Sequence, residues 1–149
     1  LNYCKDRRAK FIEDHKINKT LNKGCPQGSI LGPEFWDIGL EPLLRILDIA
    51  DVVRMTVAYA DDLLLLIEGS NRDTLERSCQ SALKIVTTWC STAKLKIAAT
   101  KTTFMFLKGG MKRNPTVRID QTNIQKQHST RYLGVHIDEG SALLHMWRQ

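Results

Sequence analysis

The feature that most constrains this chain is a pair of adjacent carboxylates, Asp61 and Asp62, between two apolar runs. Residues 57–67 read VAYADDLLLLI. An ionised carboxylate without a partner costs many kcal/mol inside an apolar core, so such groups lie at exposed tips, find partners or bind a metal. The apolar runs predict two buried strands that meet at the carboxylates in a hairpin turn. Only a bend lets neighbouring side chains reach one cation, because a straight strand points them to opposite faces.

Two interpretations of the acidic pair stay open at this level. The simpler one is a solvated acidic hairpin tip, and the other is a metal-binding turn. Solubility gives no reason for apolar strands on both sides of a doubly acidic junction, and this pattern favours the metal-binding turn.

Length and composition indicate an ordinary globular chain. Its 149 residues suit one domain with a hydrophobic core. No apolar run approaches the ~20 residues that cross a bilayer, and the early charges Asp6, Arg7 and Arg8 argue against a signal peptide. Four cysteines lack metal-ligand spacing, so we expect reduced thiols and a nuclear or cytoplasmic location.

The net charge of +6 is unevenly distributed. Residues 34–73 hold nine acidic and three basic residues, whereas residues 77–131 hold eleven basic residues and one acidic residue. A basic tract after a carboxylate pair suits a polyanion whose backbone is gripped while a cation neutralises the acids. A solvated lysine-rich surface is the alternative.

The first part of the chain predicts a hairpin and a helix. Residues 7–23 alternate weakly, as in two short strands. The loop 24–33, GCPQGSILGP, holds three glycines and two prolines. It either presents backbone N–H groups to a phosphate or serves as a structural turn. Pro33 suits the first position of a helix, which Pro42 should kink or end in its first part.

The second part predicts a capped helix followed by strands. Ser70 or Asn71 caps this helix, whose apolar positions recur at helical spacing toward the sheet. These positions are Leu75, Cys79, Ala82, Leu83, Val86, Trp89 and Cys90. We expect strands at 101–107 and 131–138, a turn at 120–123, and the start of a helix at 139–149. This order favours an α+β fold, an antiparallel sheet with helices packed on one face.

Four blocks together resemble the palm domain of reverse transcriptases, most closely those of non-LTR (LINE-type) retrotransposons. They are GCPQGSILGP at 24–33, AYADD at 58–62, the lysine-containing block from 95–96 to 101–102, and RYLGV at 131–135. The resemblance implies a polymerase palm with a ferredoxin-like core, without the fingers and most of the thumb. Residues 1–138 would form a partial palm, and residues 139–149 the truncated start of the thumb or connection.

The resemblance implies an RNA-directed DNA polymerase. It would extend a DNA primer on an RNA template with dNTPs by two-metal nucleotidyl transfer during retrotransposition. Asp61 and Asp62 would bind two Mg²⁺ ions, with Mn²⁺ as the alternative cation. Lys101 resembles a lysine that protonates pyrophosphate, or is one more lysine that faces phosphate or solvent.

The remaining implied roles concern substrate positioning. The resemblance places Gln27, Gly28 and Ser29 against the incoming nucleotide and template, Tyr59 and Ala60 near the primer end, and Tyr132, Leu133 and Gly134 in the primer grip. The basic 77–131 tract would face the template–primer duplex. The protein would act inside the cell, in the nucleus or cytoplasm, as a ribonucleoprotein without a membrane.

The sequence departs from the family in one respect. The family has a further aspartate on a strand upstream of the PQG loop, and neither Asp6 nor Asp14 has the apolar context of that block. We therefore expect a fragment or truncated reading frame that is inactive by itself, because two carboxylates hold a metal pair less well than three.

Two other classes stay open. One is a catalytically inactive nucleic-acid-binding relic that retains the palm fold. The other is a different polymerase with the same palm, such as a group II intron protein or a viral RNA polymerase. Viral RNA polymerases usually carry glycine where this chain has Ala60.

Overall fold

A computed structural model describes residues 7–13, 15–21, 24, 28–109 and 111–139. The chain divides into two compact units, Leu1–Pro42 and Leu43–Gln149. Neither helix in the described ranges is both long and apolar enough to cross a membrane.

In chain order the elements are β1 (Arg7–Glu13), β2 (His15–Leu21), α1 (Gly32–Asp48), β3 (Met55–Tyr59), β4 (Asp62–Leu66), α2 (Arg72–Ala93), β5 (Thr103–Phe104), β6 (Arg118–Ile119), β7 (Thr122–Asn123), β8 (Gln125–Lys126), β9 (Ser129–Tyr132) and β10 (Val135–Asp138).

Strands β1 and β2 form the predicted N-terminal hairpin. Their antiparallel register runs from Arg7↔Leu21 to Glu13↔His15. The hairpin prediction for residues 7–23 is therefore confirmed.

Helix α1 begins at the predicted place and continues through its internal proline. Its first residue is Gly32, so Pro33 lies in the first turn, where a missing N–H leaves no helical bond unmade. Pro42 lies inside the helix, so the alternative that it ends the first part of the helix is wrong, and the kink stays a prediction. One lost backbone bond does not break the bonds on either side of it. Leu43 and Leu47, one turn apart, are fully buried.

Helix α2 is capped at both ends. Asn71 has extended backbone angles (φ −149°, ψ 172°), and its side chain accepts a 2.9 Å hydrogen bond from the Thr74 N–H. This confirms the predicted N-cap. At the other end Lys94 is left-handed (φ 58°), and the N–H groups of Lys94 and Leu95 donate to the carbonyls of Ser91 and Cys90. Such bonds satisfy the last helical carbonyls.

The described core of the second unit forms where α2 meets the β6–β7 hairpin. Val117, Ile119 and Ile124 are buried together. Side chains packed against them come from α2 and from residues 97–104: Cys79, Leu83, Ile97, Ala99 and Phe104. The Gln80 side chain also donates a 3.1 Å hydrogen bond to the Arg118 carbonyl. The predicted apolar face of α2 is therefore confirmed.

The sheet differs from the one expected. The α+β class is confirmed, with two helices and short, mostly antiparallel strand pairs, but the described strands form five separate two-stranded sheets. Strands β5 and β8 pair in parallel, with Thr103 opposite Gln125. The strand expected at 101–107 is reduced to β5. Strands of two residues make few ladder hydrogen bonds, so the apolar core, more than backbone pairing, supports this part of the fold.

The segment 131–138 is a hairpin, so the single strand predicted there is wrong. Strands β9 and β10 pair through Tyr132↔Val135, which leaves Leu133 and Gly134 as a two-residue turn. Both have positive φ, 49° and 84°, as in a type I′ turn. Alternating apolar residues fit a strand or a hairpin equally well, and Gly134 permits the turn. The helix expected after residue 139 lies outside the described residues.

Glu139 ties the end of β10 to the segment around β8. Its carboxylate lies 2.8 Å from the Lys126 Nζ and 2.7 Å from the His128 Nδ1. Its backbone N–H donates to the His128 carbonyl at 3.0 Å. Hydrogen bonds from Lys126 and then His128 lower the pKa of Glu139 from 4.5 to about 2. The ionised form is therefore favoured by the folded state.

This linkage predicts how Glu139→Gln changes stability with pH. A carboxylate whose pKa is lowered on folding stabilises the protein above its unfolded pKa, and the contribution disappears as the pH falls through the folded value. The variant should be less stable than the parent at pH 7, and the gap should close between pH 4.5 and about 2. Urea unfolding at several pH values measures it.

Glu68→Gln is the matched control. Glu68 faces Arg54 at 4.0 Å with both side chains more than 70% exposed, so its removal should have little effect at any of these pH values. A gap for Glu139→Gln that stays constant as the pH falls would contradict the linkage.

Gly69 predicts a second stability effect. A Cβ at this position would lie 2.9 Å from the Cα, Cβ and N atoms of Leu75, and such crowding by backbone is not relieved by a rotamer change. Gly69→Ala should lower the free energy of unfolding by about 1–3 kcal/mol. Gly39→Ala, which meets nothing within 4 Å inside α1, should instead stabilise by up to about 1 kcal/mol. Chemical denaturation compares the two.

Candidate catalytic carboxylate site

The β3–β4 hairpin presents the two adjacent carboxylates at its tip. The strands pair from Met55↔Leu66 to Tyr59↔Asp62, so Ala60 and Asp61 form a two-residue turn. Asp61 lies in the turn and Asp62 is the first residue of β4, and both are exposed. The predicted hairpin is confirmed, but the turn lies one residue earlier than expected, so that it carries Asp61 and not Asp62.

Ala60 has an uncommon backbone conformation. Its φ of 49° lies in the left-handed region, which costs a residue with a Cβ roughly 1–2 kcal/mol. A strained backbone conformation persists only when the surrounding structure maintains it, and such conformations are frequent at functional sites. The backbone that sets the direction of Asp61 is thus fixed by a turn that the sequence does not favour.

The two strands are less buried than predicted. The apolar residues of β3 and β4 are half-buried or exposed, with Met55 at 43% and Tyr59 at 64% exposure. In the described part of the chain no third strand extends this hairpin, so part of each strand stays accessible to solvent. The expectation of fully buried strands is wrong.

Tyr132, from the RYLGV block, lies within electrostatic reach of Asp62. Its hydroxyl oxygen is buried and has no hydrogen-bond partner among the described residues. Burial, and secondarily the negative charge of Asp62, raise the pKa of Tyr132. The charge of Asp62 in one sequence block therefore acts on Tyr132 in another. Sequence reasoning missed this interaction because nothing in either block indicates it.

The donor chemistry of the tip suits a hard divalent cation. Mg²⁺ prefers carboxylate oxygen ligands and retains several waters, and two exposed carboxylates meet that requirement in part. Within the described ranges, no three His, Cys, Asp or Glu side chains are grouped to hold a metal ion. Asp6 and Asp14, the acidic residues upstream of the PQG loop, lie outside those ranges. The carboxylates would therefore supply part of a coordination shell.

The other predicted site residues are distributed over the chain. Lys101 is exposed in a turn where its N–H donates to the Ala98 carbonyl at 2.9 Å, and no ion pair joins it to the described carboxylates. Gln27 lies outside the described residues. Gly28 has φ 79°, which requires glycine or strain, and Ser29 is half-buried. The roles of these residues stay predictions.

Comparison with known proteins identifies the family. Residues 3–137 match the family model described as "Reverse transcriptase (RNA-dependent DNA polymerase)". This match covers most of the chain, and the chain therefore belongs to the reverse transcriptase family. The resemblance seen in the four sequence blocks is confirmed.

Several curated relatives come from non-LTR retrotransposons. The chain is 43% identical over 128 residues to the "Putative 115 kDa protein in type-1 retrotransposable element R1DM" of Drosophila melanogaster, a match to 86% of this chain and 12% of that protein. It is 36% identical over 123 residues to the "Retrovirus-related Pol polyprotein from type-1 retrotransposable element R1 2" of Nasonia vitripennis, a match to 78% of this chain and 30% of that protein.

A more distant relative carries the enzyme name. The "Probable RNA-directed DNA polymerase from transposon BS" of Drosophila melanogaster is 26% identical over 144 residues, which cover 92% of this chain and 16% of that protein. The chain thus spans between about a tenth and a third of the length of these relatives. No solved structure matches the chain.

The turn at Leu133 allows a direct test of the geometry beside the site. Leu133 is 49% exposed, and its φ of 49° opens the Leu133-Gly134 turn. Type I′ turns prefer Asn-Gly, so Leu133→Asn should raise the free energy of unfolding by about 1 kcal/mol. Thermal or urea unfolding measures the gain.

Leu95→Asn serves as the comparison. Leu95 is 41% exposed and does not have a positive φ, so asparagine relieves no strain there. Equal effects of the two substitutions would show that the stabilisation of Leu133→Asn comes from surface polarity and not from the turn.

Proposed function

We propose that this chain is the palm portion of an RNA-directed DNA polymerase that copies retrotransposon RNA. The parent protein extends a DNA primer on an RNA template with dNTPs. The observation that carries the proposal is the exposed carboxylate pair at the β3–β4 turn, in a chain of the reverse transcriptase family. Family membership supports the reaction class, and the hairpin supports the location of the site.

Asp61 and Asp62 are the proposed metal ligands. Their carboxylates would hold two Mg²⁺ ions, or Mn²⁺ in their place, together with the family's upstream aspartate. When bound, the metal pair lowers the pKa of the attacking primer hydroxyl and stabilises the departing pyrophosphate. Like charges on adjacent carboxylates also repel one another, which favours a cation between them.

The residues around the turn have positioning roles in this proposal. Tyr59 and Ala60 lie at the end of β3 and in the turn, where a small side chain at Ala60 leaves room for the primer end. The β9–β10 turn, Tyr132 to Gly134, would hold the primer strand. Leu133 is half-exposed in a strained conformation. Packing of this apolar side chain against the primer would explain its exposure.

The remaining roles follow from family membership. Gln27, Gly28 and Ser29 would contact the incoming nucleotide and template, and Lys101 would donate a proton to the departing pyrophosphate. The segment 1–138 would belong to a palm with a ferredoxin-like core and 139–149 to its connection with the thumb. The protein would work as a ribonucleoprotein in the nucleus or cytoplasm.

The proposal predicts that Asp61→Asn in the parent polypeptide abolishes primer extension. Asparagine keeps the size of the side chain but removes the charge that binds the cation. Loss of several kcal/mol of charge stabilisation lowers the rate of primer extension by about 1,000-fold or more. Extension of a labelled DNA primer on an RNA template in Mg²⁺ buffer measures this rate.

Asp51→Asn is the control, because Asp51 is an exposed carboxylate in a different turn and its loss should leave the rate unchanged. Circular dichroism of each variant establishes that the fold survives. Normal extension by Asp61→Asn would exclude the metal-ligand role. If neither the variant nor the parent extends a primer while both bind RNA without Mg²⁺, the chain is a non-catalytic nucleic-acid-binding relic.

A further inference from the structure

A concave site separate from the carboxylate tip lies in the Leu43–Gln149 unit, at the start of α2. This basic cleft has a volume of about 500 Å³ and is lined by Ser70, Asn71, Arg72, Met111, Lys112 and Arg113. None of these residues belongs to the four blocks that identify the family. Arg72 falls within the acidic part of the sequence, so the charge pattern alone does not assign it to a basic site.

Glu76 fixes the two walls of the basic cleft to one another. Its Oε1 atom accepts a 2.8 Å hydrogen bond from the Arg72 Nη2 on the same face of α2. The same oxygen accepts a 2.5 Å hydrogen bond from the backbone N–H of Thr116. The Thr116 bond, with Arg72 adding to it, lowers the pKa of Glu76. The loop that carries Lys112 and Arg113 is thereby held against the first turn of α2.

The basic cleft has an excess of unneutralised positive charge. Glu76 neutralises one of its three cations. Lys112 and Arg113 are exposed and form no ion pair with any described residue. The Nε atom of Arg72 is buried and has no hydrogen-bond partner in the described part of the chain. Buried polar groups are usually hydrogen-bonded, so this guanidinium has hydrogen-bonding capacity that Glu76 does not use.

The positive surface continues into a neighbouring cleft. That cleft is lined by residues on both sides of Met111, including Lys108, Gly109 and Lys126, and shares Met111 with the first. Glu139 forms an ion pair with Lys126 there, so the positive charge that is not neutralised in this cleft is that of Lys108. A line of cations along a loop fits an extended polyanion better than a single small anion.

We propose that the basic cleft binds the phosphate-diester backbone of one nucleic-acid strand. Arginine and lysine are the side chains that contact phosphate oxygens, and the N-terminal end of α2 adds a favourable dipole. The site differs from the carboxylate tip, because Asp61 and Asp62 repel phosphate unless a cation intervenes. The inference depends on the proposed function only for the nature of the polyanion.

The test measures binding of the 149-residue chain to a 20-nucleotide RNA and to the DNA of the same sequence by fluorescence anisotropy. EDTA is present so that metal-dependent binding at Asp61 does not contribute. Lys112→Ala/Arg113→Ala removes two phosphate contacts, which reduces the slope of log K against log salt by about 1.4. At 0.1 M salt this corresponds to about 25-fold weaker binding, for RNA and DNA alike.

Arg45→Ala/Arg54→Ala is the matched control, because it removes the same charge from two exposed positions that lie outside both the basic cleft and the 77–131 tract. It should weaken binding by less than about 3-fold. Arg72→Lys keeps the charge but removes the Nε donor, and we expect roughly 3- to 10-fold weaker binding. An unchanged affinity for this variant would remove Arg72 from the site.

Three outcomes would overturn the proposal. The first is an unchanged salt slope for the double variant. The second is an equal loss in the control, which would assign the effect to net charge. The third is a loss confined to RNA, which would point to the 2′-hydroxyl and not to phosphate. Because the assay contains no Mg²⁺ and no dNTP, its result is independent of whether the parent protein polymerises.

Discussion

Charge at the centre of an apolar segment is the constraint on which the functional part of this structure depends. Asp61 and Asp62 keep their solvation only at a surface, while the runs on either side gain by pairing and withdrawing from water. A hairpin with a two-residue turn satisfies both requirements. The cost appears at Ala60, which adopts a left-handed backbone. The same turn exposes both carboxylates, so the physical solution to burial is also what makes them available to a cation.

Other carboxylates in this chain are used differently. Glu76 and Glu139 each accept bonds from two partners, at 2.8 Å or less, and their pKa values are lowered. They connect segments that the short strands do not join. Asp61 and Asp62 have no such partners among the described residues. The hydrogen bonds that a carboxylate makes thus separate the structural acidic residues from those available to a ligand. Their position in the acidic or basic part of the sequence does not.

The local pattern predicted most of the elements and failed where two structures share one pattern. The hairpins at 7–23 and 57–67 and the Asn71 cap follow from alternation, turn chemistry and helical spacing, which act between near neighbours. Residues 131–138 alternate as a strand does, yet Gly134 turns them into a hairpin. The prediction of a single sheet is also wrong, because pairing between strands that are distant in sequence depends on how helices and strands pack their apolar surfaces together. Here α2 covers β6 and the apolar residues that flank the β6–β7 hairpin, Val117 and Ile124, and the strands form separate pairs.

The sequence by itself determined the family, through the order of four blocks, and the location of the acidic pair at the tip of a hairpin. Both are properties of residues close together in the chain, where covalent geometry limits the alternatives. Only the tertiary structure decided that the charge of Asp62 acts on Tyr132, and that Arg72 shares a cleft with Lys112 and Arg113. Both pairings join residues that are distant in sequence, and in the second the Glu76 bonds to Arg72 and Thr116 hold the two segments against one another. No local periodicity encodes such contacts, because their free energy comes from surfaces that meet only in the folded chain.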